Sequence, residues 1–261
     1  MYIAPKNKEI KAPPANWLVR DIHLNQGRIS GWFVEAPNNS THRCVLMMHG
    51  LNGNRNRMIN IANFLYDANY SLLLFDFRGH GASKPDMVTL GLRESDDARV
   101  AFNWLKEQGK CRKIGVWGHS MGGAAAVLGA SPLEADALVL DSTYATIEQA
   151  TYHRIKWLAG DTASKLLSPL LLAQIPFRLH AKLSDLHPVE AIKNIHSPVL
   201  IIYGTADQSA YPEEAHALFN AAGSKQKEIF EVKDAGHGRV YFKDPVGYER
   251  KVKRFFDQYL H

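Results

Sequence analysis

The sequence lacks the features that would assign it to several special classes of protein. Only two of its 261 residues are cysteines, Cys44 and Cys111, and neither has a CxxC partner or a cluster of metal-ligating residues nearby. No stretch reaches the roughly 18 apolar residues that span a membrane, and residues 1–6 carry no apolar segment typical of a signal peptide. We therefore expect no metal, no disulfide framework and no transmembrane segment. We interpret the cysteines as reduced, buried thiols of a cytoplasmic protein.

The excess of positive charge is small. The 31 Lys and Arg residues against 26 Asp and Glu residues leave a net charge of +5. The strongest basic run, residues 250–254, lies among Tyr248, Val252, Phe255 and Tyr259, which are spaced as one apolar helix face. The basic side chains then fall on the solvated face, and no binding motif accompanies them. We expect no nucleic-acid partner.

What the sequence does contain is an alternation of short apolar strands with amphipathic helices. An opening antiparallel hairpin is predicted at 17–24 and 28–36. Further strands are predicted at 44–48, 71–76, 113–117, 137–141, 199–203 and 228–232, and helices at 55–68, 93–108, 121–130, 212–222 and 245–260. This order predicts an α/β fold with a mostly parallel sheet and helices on both faces.

The alternation stops between residues 144 and 197. This segment is predicted to form several short helices broken by Pro169, Pro176 and Pro188. We therefore divide the chain into a core, residues 1–143 and 198–261, and a helical cap insertion, residues 144–197. The cap is expected to lie over the carboxyl ends of the strands as a lid, where its leucines would form an apolar wall for a substrate or a small core of their own.

The segment Gly118-His119-Ser120-Met121-Gly122 is the most informative motif. It stands between a predicted buried strand and a helix of small apolar residues. A serine on such a tight turn projects its hydroxyl above the edge of the sheet, and the glycines two residues before and after it avoid collisions across the bend. We predict that Ser120 is a nucleophile.

A serine nucleophile needs a base and an acid that orients the base. Asp207 follows the predicted strand 199–203, and His237, between two glycines, follows the strand 228–232. We predict that His237 is the base and Asp207 the acid, in the chain order Ser, Asp, His that this turn requires. Asp141, at the end of the preceding strand, remains the rival acid. The side chain of His119 is expected to point away from that of Ser120.

The oxyanion formed by attack on a carbonyl needs two N–H donors. We assign one to the backbone of Met121, at the start of the helix after the nucleophile. The other is assigned to the backbone of Leu51, in the turn His49-Gly50-Leu51 that follows the strand 44–48.

These motifs together resemble the α/β-hydrolase family over nearly the whole chain. The resemblance rests on His49-Gly50, on Gly118 to Gly123 and on three further segments: Asp76-Phe77-Arg78-Gly79-His80-Gly81-Ala82-Ser83, Gly204-Thr205-Ala206-Asp207 and Gly236-His237. Asp141-Ser142-Thr143-Tyr144 is similar to the serine aminopeptidase-like and Bem46-like branch. The resemblance implies an eight-stranded sheet and Ser120, Asp207 and His237 as a catalytic triad. A serine at position 120, where related dehalogenases have aspartate, disfavours their chemistry.

The leading hypothesis is a serine hydrolase of carboxylic esters that acts through an acyl-enzyme on Ser120 and uses no cofactor. A thioesterase or lipase, an aminopeptidase or amidase, and a non-catalytic ligand-binding protein remain open, because the motif defines the nucleophile and not the leaving group. The expected partner is a small ester-type substrate, and the sequence predicts no oligomeric state.

Overall fold

The structure is a computed structural model that describes residues 9–38 and 42–261. In this part of the chain, eight strands form one sheet. The strands are β1 (Leu18–Leu24), β2 (Ile29–Glu35), β3 (Arg43–Met48), β4 (Ser71–Phe75), β5 (Lys113–His119), β6 (Ala137–Asp141), β7 (Val199–Gly204) and β8 (Lys227–Val232). Their order in the sheet is β1-β2-β4-β3-β5-β6-β7-β8. The β1–β2 and β2–β4 pairs are antiparallel, and every other pair is parallel.

The helices lie between these strands along the chain. They are α1 (Ile59–Asp67), α2 (Glu94–Glu107), α3 (Met121–Val127), α4 (Ile147–Leu172), α5 (Ile175–Leu179), α6 (Pro188–Ala191), α7 (Pro212–Ala221), α8 (Val240–Lys243) and α9 (Pro245–Tyr259). Short 3-10 helices precede α1, at Arg55–Met58, and flank α6, at Leu183–Leu186 and Ile192–Asn194. The predicted α/β fold with an eight-stranded, mostly parallel sheet is confirmed.

The sheet separates two apolar cores because alternate residues of each strand face opposite sides. In β4, Leu73 and Phe75 belong to the core under α2, α3 and α7, whereas Leu72 and Leu74 belong to the core under α1 and α9. The interior strands are therefore apolar on both faces, as a sheet covered by helices requires.

Helix α9 carries the basic run that the sequence analysis placed on a solvated face. Its apolar side chains, Tyr248, Val252, Phe255 and Phe256, are buried against the sheet. Lys251 and Arg254 both donate to Glu228, and Lys253 pairs with Asp257. Much of the positive charge of this run is thus neutralised within the chain.

The segment between β6 and β7 contains several helices, as predicted, but Pro169 does not separate two of them. Pro169 lies inside α4, three residues before its end, and does not break it. The helix is instead kinked at Gly160, whose φ of 86° lies in the left-handed region that favours glycine. Pro176 and Pro188 stand in the first turns of α5 and α6, where prolines are tolerated.

The expectation of two reduced thiols is wrong, because Cys44 and Cys111 form a disulfide with Cα atoms 5.4 Å apart. Cys44 lies at the start of β3 and Cys111 shortly before β5, and these two strands are neighbours in the sheet. A lasting disulfide is typical of oxidising compartments, and the cytoplasmic location stays a prediction from the sequence.

None of the helices in the described ranges is long and apolar enough to cross a membrane. The expectation about a signal peptide concerns residues 1–6, which lie outside those ranges.

Candidate active site

The carboxyl ends of five parallel strands bring the candidate residues to one edge of the sheet. The turn after β3 carries Gly50 and Leu51, the turn after β5 carries Ser120, and the loops after β7 and β8 carry Asp207 and His237. Asp141 ends β6 at the same edge. A crevice at this edge is where open parallel sheets commonly bind ligands.

Ser120 occupies a strained backbone conformation between β5 and α3. Its φ of 53° and ψ of −114° are rarely adopted by a residue with a side chain. The turn also needs its glycines: a Cβ on Gly118 would come within 2.7 Å of the Gly122 backbone, and one on Gly122 would collide with the carbonyl of Met48. The strain is held by the hydrogen bond from the Ser120 N–H to the Asp141 carbonyl, at 2.8 Å.

A continuous chain of hydrogen bonds joins Ser120, His237 and Asp207. The Ser120 Oγ lies 3.1 Å from the His237 Nε2, so the hydroxyl donates to the ring when the Nδ1 carries the proton. The Nδ1–H then donates to the Asp207 Oδ2 at 2.8 Å. Asp207 is 3% exposed, and its other oxygen accepts from the backbone N–H groups of Ser209 and Ala210. The aspartate is therefore fixed in the orientation that contacts the imidazole.

Asp141, the rival acid, is directed elsewhere. Its carboxylate accepts from the Tyr248 hydroxyl at 2.7 Å and from the Ser142 hydroxyl at 2.9 Å, and it lies 3.6 Å from the His119 Nδ1. Burial by itself would raise the pKa of Asp141, but the nearby His119 ring and the hydrogen bonds from Tyr248 and Ser142 hold it below its ordinary value. Asp207, and not Asp141, contacts the His237 ring through its side chain.

The turn after β3 is held by a buried histidine. The His49 Nδ1 donates to the Gly50 carbonyl at 2.8 Å, and its Nε2 accepts from the Phe77 N–H at 3.1 Å. Burial, with a smaller contribution from the charge of His80, lowers the pKa of His49 to about 4. The imidazole is therefore neutral near pH 7, in the one tautomer that makes both hydrogen bonds.

Above Ser120 lies a mainly apolar cavity of about 180 Å³, which we call the Ser120 cavity. It also contains His237 and Met121, and Ala150, Ile155 and Leu171 of α4 form part of its wall. The segment between β6 and β7 thus borders the space in front of the serine.

Sequence reasoning missed the position of His119. Its ring packs on the ring of His237, with centroids 5.2 Å apart, and lines the Ser120 cavity, a contact that the sequence analysis did not include. No spacing in the sequence indicates this contact, because it depends on the path of the loop after β8. In the described part of the chain no group of three or more His, Cys, Asp or Glu residues is arranged to hold a metal ion.

The sheet order and the serine on its turn between β5 and α3 define the α/β-hydrolase class. Within this class, the sequence profile of the serine aminopeptidase family, S33, matches residues 39–187. The chain belongs to this family of hydrolases.

Relatives with sequence similarity include both uncharacterized proteins and a lipase. The uncharacterized protein Rv2307c of Mycobacterium tuberculosis is 30% identical over 88% of this chain and 75% of its own length. The lysophosphatidylserine lipase ABHD12 of Mus musculus is 27% identical over 87% of this chain and 56% of its own length.

A solved structure shares the fold over nearly the whole chain. The esterase Pf2001 of Pyrococcus furiosus superposes with a TM-score of 0.78 and is 24% identical, covering 98% of this chain and 100% of its own. At this identity the likeness shows the fold alone.

Proposed function

We propose that this chain is a serine hydrolase that cleaves carboxylic esters through an acyl-enzyme on Ser120. The observation that carries the proposal is the chain of hydrogen bonds from Ser120 through His237 to Asp207, at 3.1 Å and 2.8 Å. A serine hydroxyl is a weak nucleophile, and a hydrogen-bonded imidazole that an aspartate orients is the arrangement that activates it.

In the proposed reaction, the Ser120 Oγ attacks the ester carbonyl and His237 accepts the serine proton. His237 then donates this proton to the leaving alcohol, and the acyl group remains on Ser120. Water, deprotonated by His237, hydrolyses the acyl-enzyme and releases the acid. Asp207 keeps the His237 ring in the required tautomer and stabilises its charged form.

We assign the oxyanion donors to the backbone N–H groups of Leu51 and Met121. Met121 is the first residue of α3, where N–H groups have no partner within the helix. The carbonyl of Gly50 is held by the His49 Nδ1 and by the Gly53 N–H. The Gly50 carbonyl and the Leu51 N–H belong to one trans peptide and point in opposite directions. The two hydrogen bonds to the carbonyl therefore direct the Leu51 N–H away from His49 and Gly53. Gly50 lies close to Ser120 there: a Cβ on it would be 3.2 Å from the Ser120 Cβ.

We further propose that residues 144–197 act as a cap over the substrate. The apolar side chains of α4 in the wall of the Ser120 cavity support an acyl group as the part of the substrate bound there.

The test is labelling with a fluorophosphonate probe, followed by a panel of esters, thioesters and amides. The wild-type chain should be labelled and should hydrolyse esters, whereas Ser120→Ala should lose both labelling and at least about 10⁴-fold in turnover. Ser131→Ala, which removes an exposed hydroxyl outside the site, is the matched control and should behave as the wild type. Faster hydrolysis of thioesters or amides than of esters would change the substrate class. Absence of labelling in the folded wild type would contradict the proposal.

A further inference from the structure

A second cavity, of about 340 Å³, adjoins the Ser120 cavity at His237. The two cavities share the turn at Gly50 to Asn52, together with His119 and His237. We call the second one the Arg57 cavity, since Arg57 and Arg239 line it, with Asn60, Trp117, Asp141 and Tyr241 among their neighbours. None of these six residues borders the Ser120 cavity.

The Arg57 cavity carries positive charge that the described residues do not neutralise. Arg57 and Arg239 are exposed, and neither lies within salt-bridge distance of a carboxylate in the described ranges. Asp141 is the one carboxylate among the described residues that line the cavity, and it is 4% exposed. Its oxygens are already engaged by the hydroxyls of Tyr248 and Ser142. Two other exposed arginines, Arg28 and Arg254, contact Asp86 and Glu228.

The position of His237 indicates which half of an ester enters which cavity. In the proposed reaction the leaving alcohol receives its proton from His237, so the alcohol lies on the side of that ring. His237, Gly238 and Arg239 form a continuous wall of the Arg57 cavity, whereas Ser120 and Met121 border only the Ser120 cavity. The acyl half then occupies the mainly apolar Ser120 cavity, which one arginine, Arg154, also lines, and the alcohol half extends into the Arg57 cavity, which two arginines line.

We infer that the Arg57 cavity binds an anionic group, a phosphate or a carboxylate, carried by the alcohol half of the ester. This inference rests on the proposed function for the direction of the substrate. Arg57 and Arg239 would bind the group through charge-assisted hydrogen bonds, for which guanidinium is well suited. Both arginines are exposed to solvent, so the preference for an anionic ester should weaken as salt screens the charges.

The first experiment measures binding without turnover. In the Ser120→Ala variant, 1-lauroylglycerol 3-phosphate and 1-lauroylglycerol, each below its critical micelle concentration, are titrated by calorimetry. The two ligands share the acyl chain and the ester bond and differ in the phosphate. We expect the phosphate ligand to bind at least about 10-fold more tightly at low salt, with the difference shrinking as salt is added. Equal affinities at low salt would overturn the inference.

Arginine variants show whether these two residues cause the difference. On the same Ser120→Ala background, Arg57→Gln and Arg239→Gln should each reduce the preference for the phosphate ligand, and the double variant should abolish it. The affinity for 1-lauroylglycerol should not change. Arg112→Gln, which removes one exposed positive charge just before β5 at the opposite end of the sheet, is the matched control and should keep the preference. Loss of the preference in Arg112→Gln to the same extent would contradict a local site.

Hydrolysis of the same two esters by the chain with Ser120 intact separates this inference from the proposed function. A higher kcat/KM for the phosphate ester that falls in Arg57→Gln and Arg239→Gln supports both. Hydrolysis of both esters at equal rates, unaffected by these variants, refutes the anionic site and leaves ester hydrolysis standing. Selective binding of the phosphate ligand without fluorophosphonate labelling supports the anionic site and contradicts the proposed function.

Discussion

At the scale of single residues, the site depends on polar groups whose protonation is set by burial. His49 is 1% exposed and holds the turn that carries Leu51, and its ring makes both hydrogen bonds only when neutral. Because the folded chain favours the neutral ring over the charged one, the pKa of His49 is lowered from 6.5 to about 4.

His49 should make the stability of the fold depend on pH in the acid range. Above pH 6.5 the imidazole is neutral in both the folded and the unfolded chain. Between pH 6.5 and pH 4 the unfolded chain binds a proton that the folded chain does not, so the stability contributed by the neutral ring is lost as the pH falls. The loss should amount to about 3 kcal/mol. Urea unfolding of the wild type and of His49→Gln at pH 7 and at pH 4 measures it.

The comparison with His49→Gln removes the contribution of the carboxylates, which both proteins share. The unfolding free energy of the wild type should fall by about 3 kcal/mol more than that of the variant between the two pH values. An equal fall in both proteins would show that His49 titrates alike in the folded and unfolded chain.

At the scale of elements, α4 connects the segment between β6 and β7 to the site. Its apolar residues Ala150, Ile155 and Leu171 border the Ser120 cavity, while Leu170, one position away from Leu171, is 64% exposed. Leu171 therefore borders the cavity whereas Leu170 faces solvent. The two positions form a matched pair for testing the role of this wall.

A larger side chain at position 171 should shorten the acyl group that the protein accepts. Leu171→Trp would fill part of the 180 Å³ cavity, so kcat/KM for an octanoyl ester should fall by about 10-fold or more relative to an acetyl ester. Leu170→Trp should leave the ratio of octanoyl to acetyl activity unchanged. Thermal unfolding of both variants shows whether the fold is intact. A parallel loss of both activities in folded Leu171→Trp would contradict an acyl site in this cavity.

At the scale of the whole molecule, the disulfide closes a long part of the chain. Cys44 and Cys111 are separated by 67 residues and join the starts of β3 and β5 in the middle of the sheet. A cross-link across such a loop restricts the unfolded chain and should stabilise the fold by about 2–4 kcal/mol.

Reduction of this bond should therefore lower the free energy of unfolding. Urea unfolding of the wild type with and without a reductant should differ by about 2–4 kcal/mol. The double variant Cys44→Ala/Cys111→Ala should unfold at the lower stability and should not respond to the reductant. Two titratable thiols in the unreduced, denatured wild type would show that the bond is absent.

The arrangement of strands and the candidate residues were predictable for a simple physical reason. Apolar runs of five to seven residues alternate with amphipathic helices, and the carboxyl ends of parallel strands meet at one edge. The positions of Ser120, Asp207 and His237, in the turn or loop that follows such a strand, therefore indicated that they lie together. Their assignment as a triad and that of Leu51 and Met121 as oxyanion donors stay predictions until Ser120→Ala and the substrate panel are measured.

The sequence by itself determined the order of the elements, since the period of the apolar residues depends only on local backbone geometry. Contacts between distant segments were decided by the tertiary structure. The Cys44–Cys111 bond depends on β3 and β5 being neighbours, and the His119–His237 contact depends on the path of the loop after β8. Arg57 and Arg239 belong to segments far apart in the chain, so only the folded chain brings their charges to one cavity beside His237.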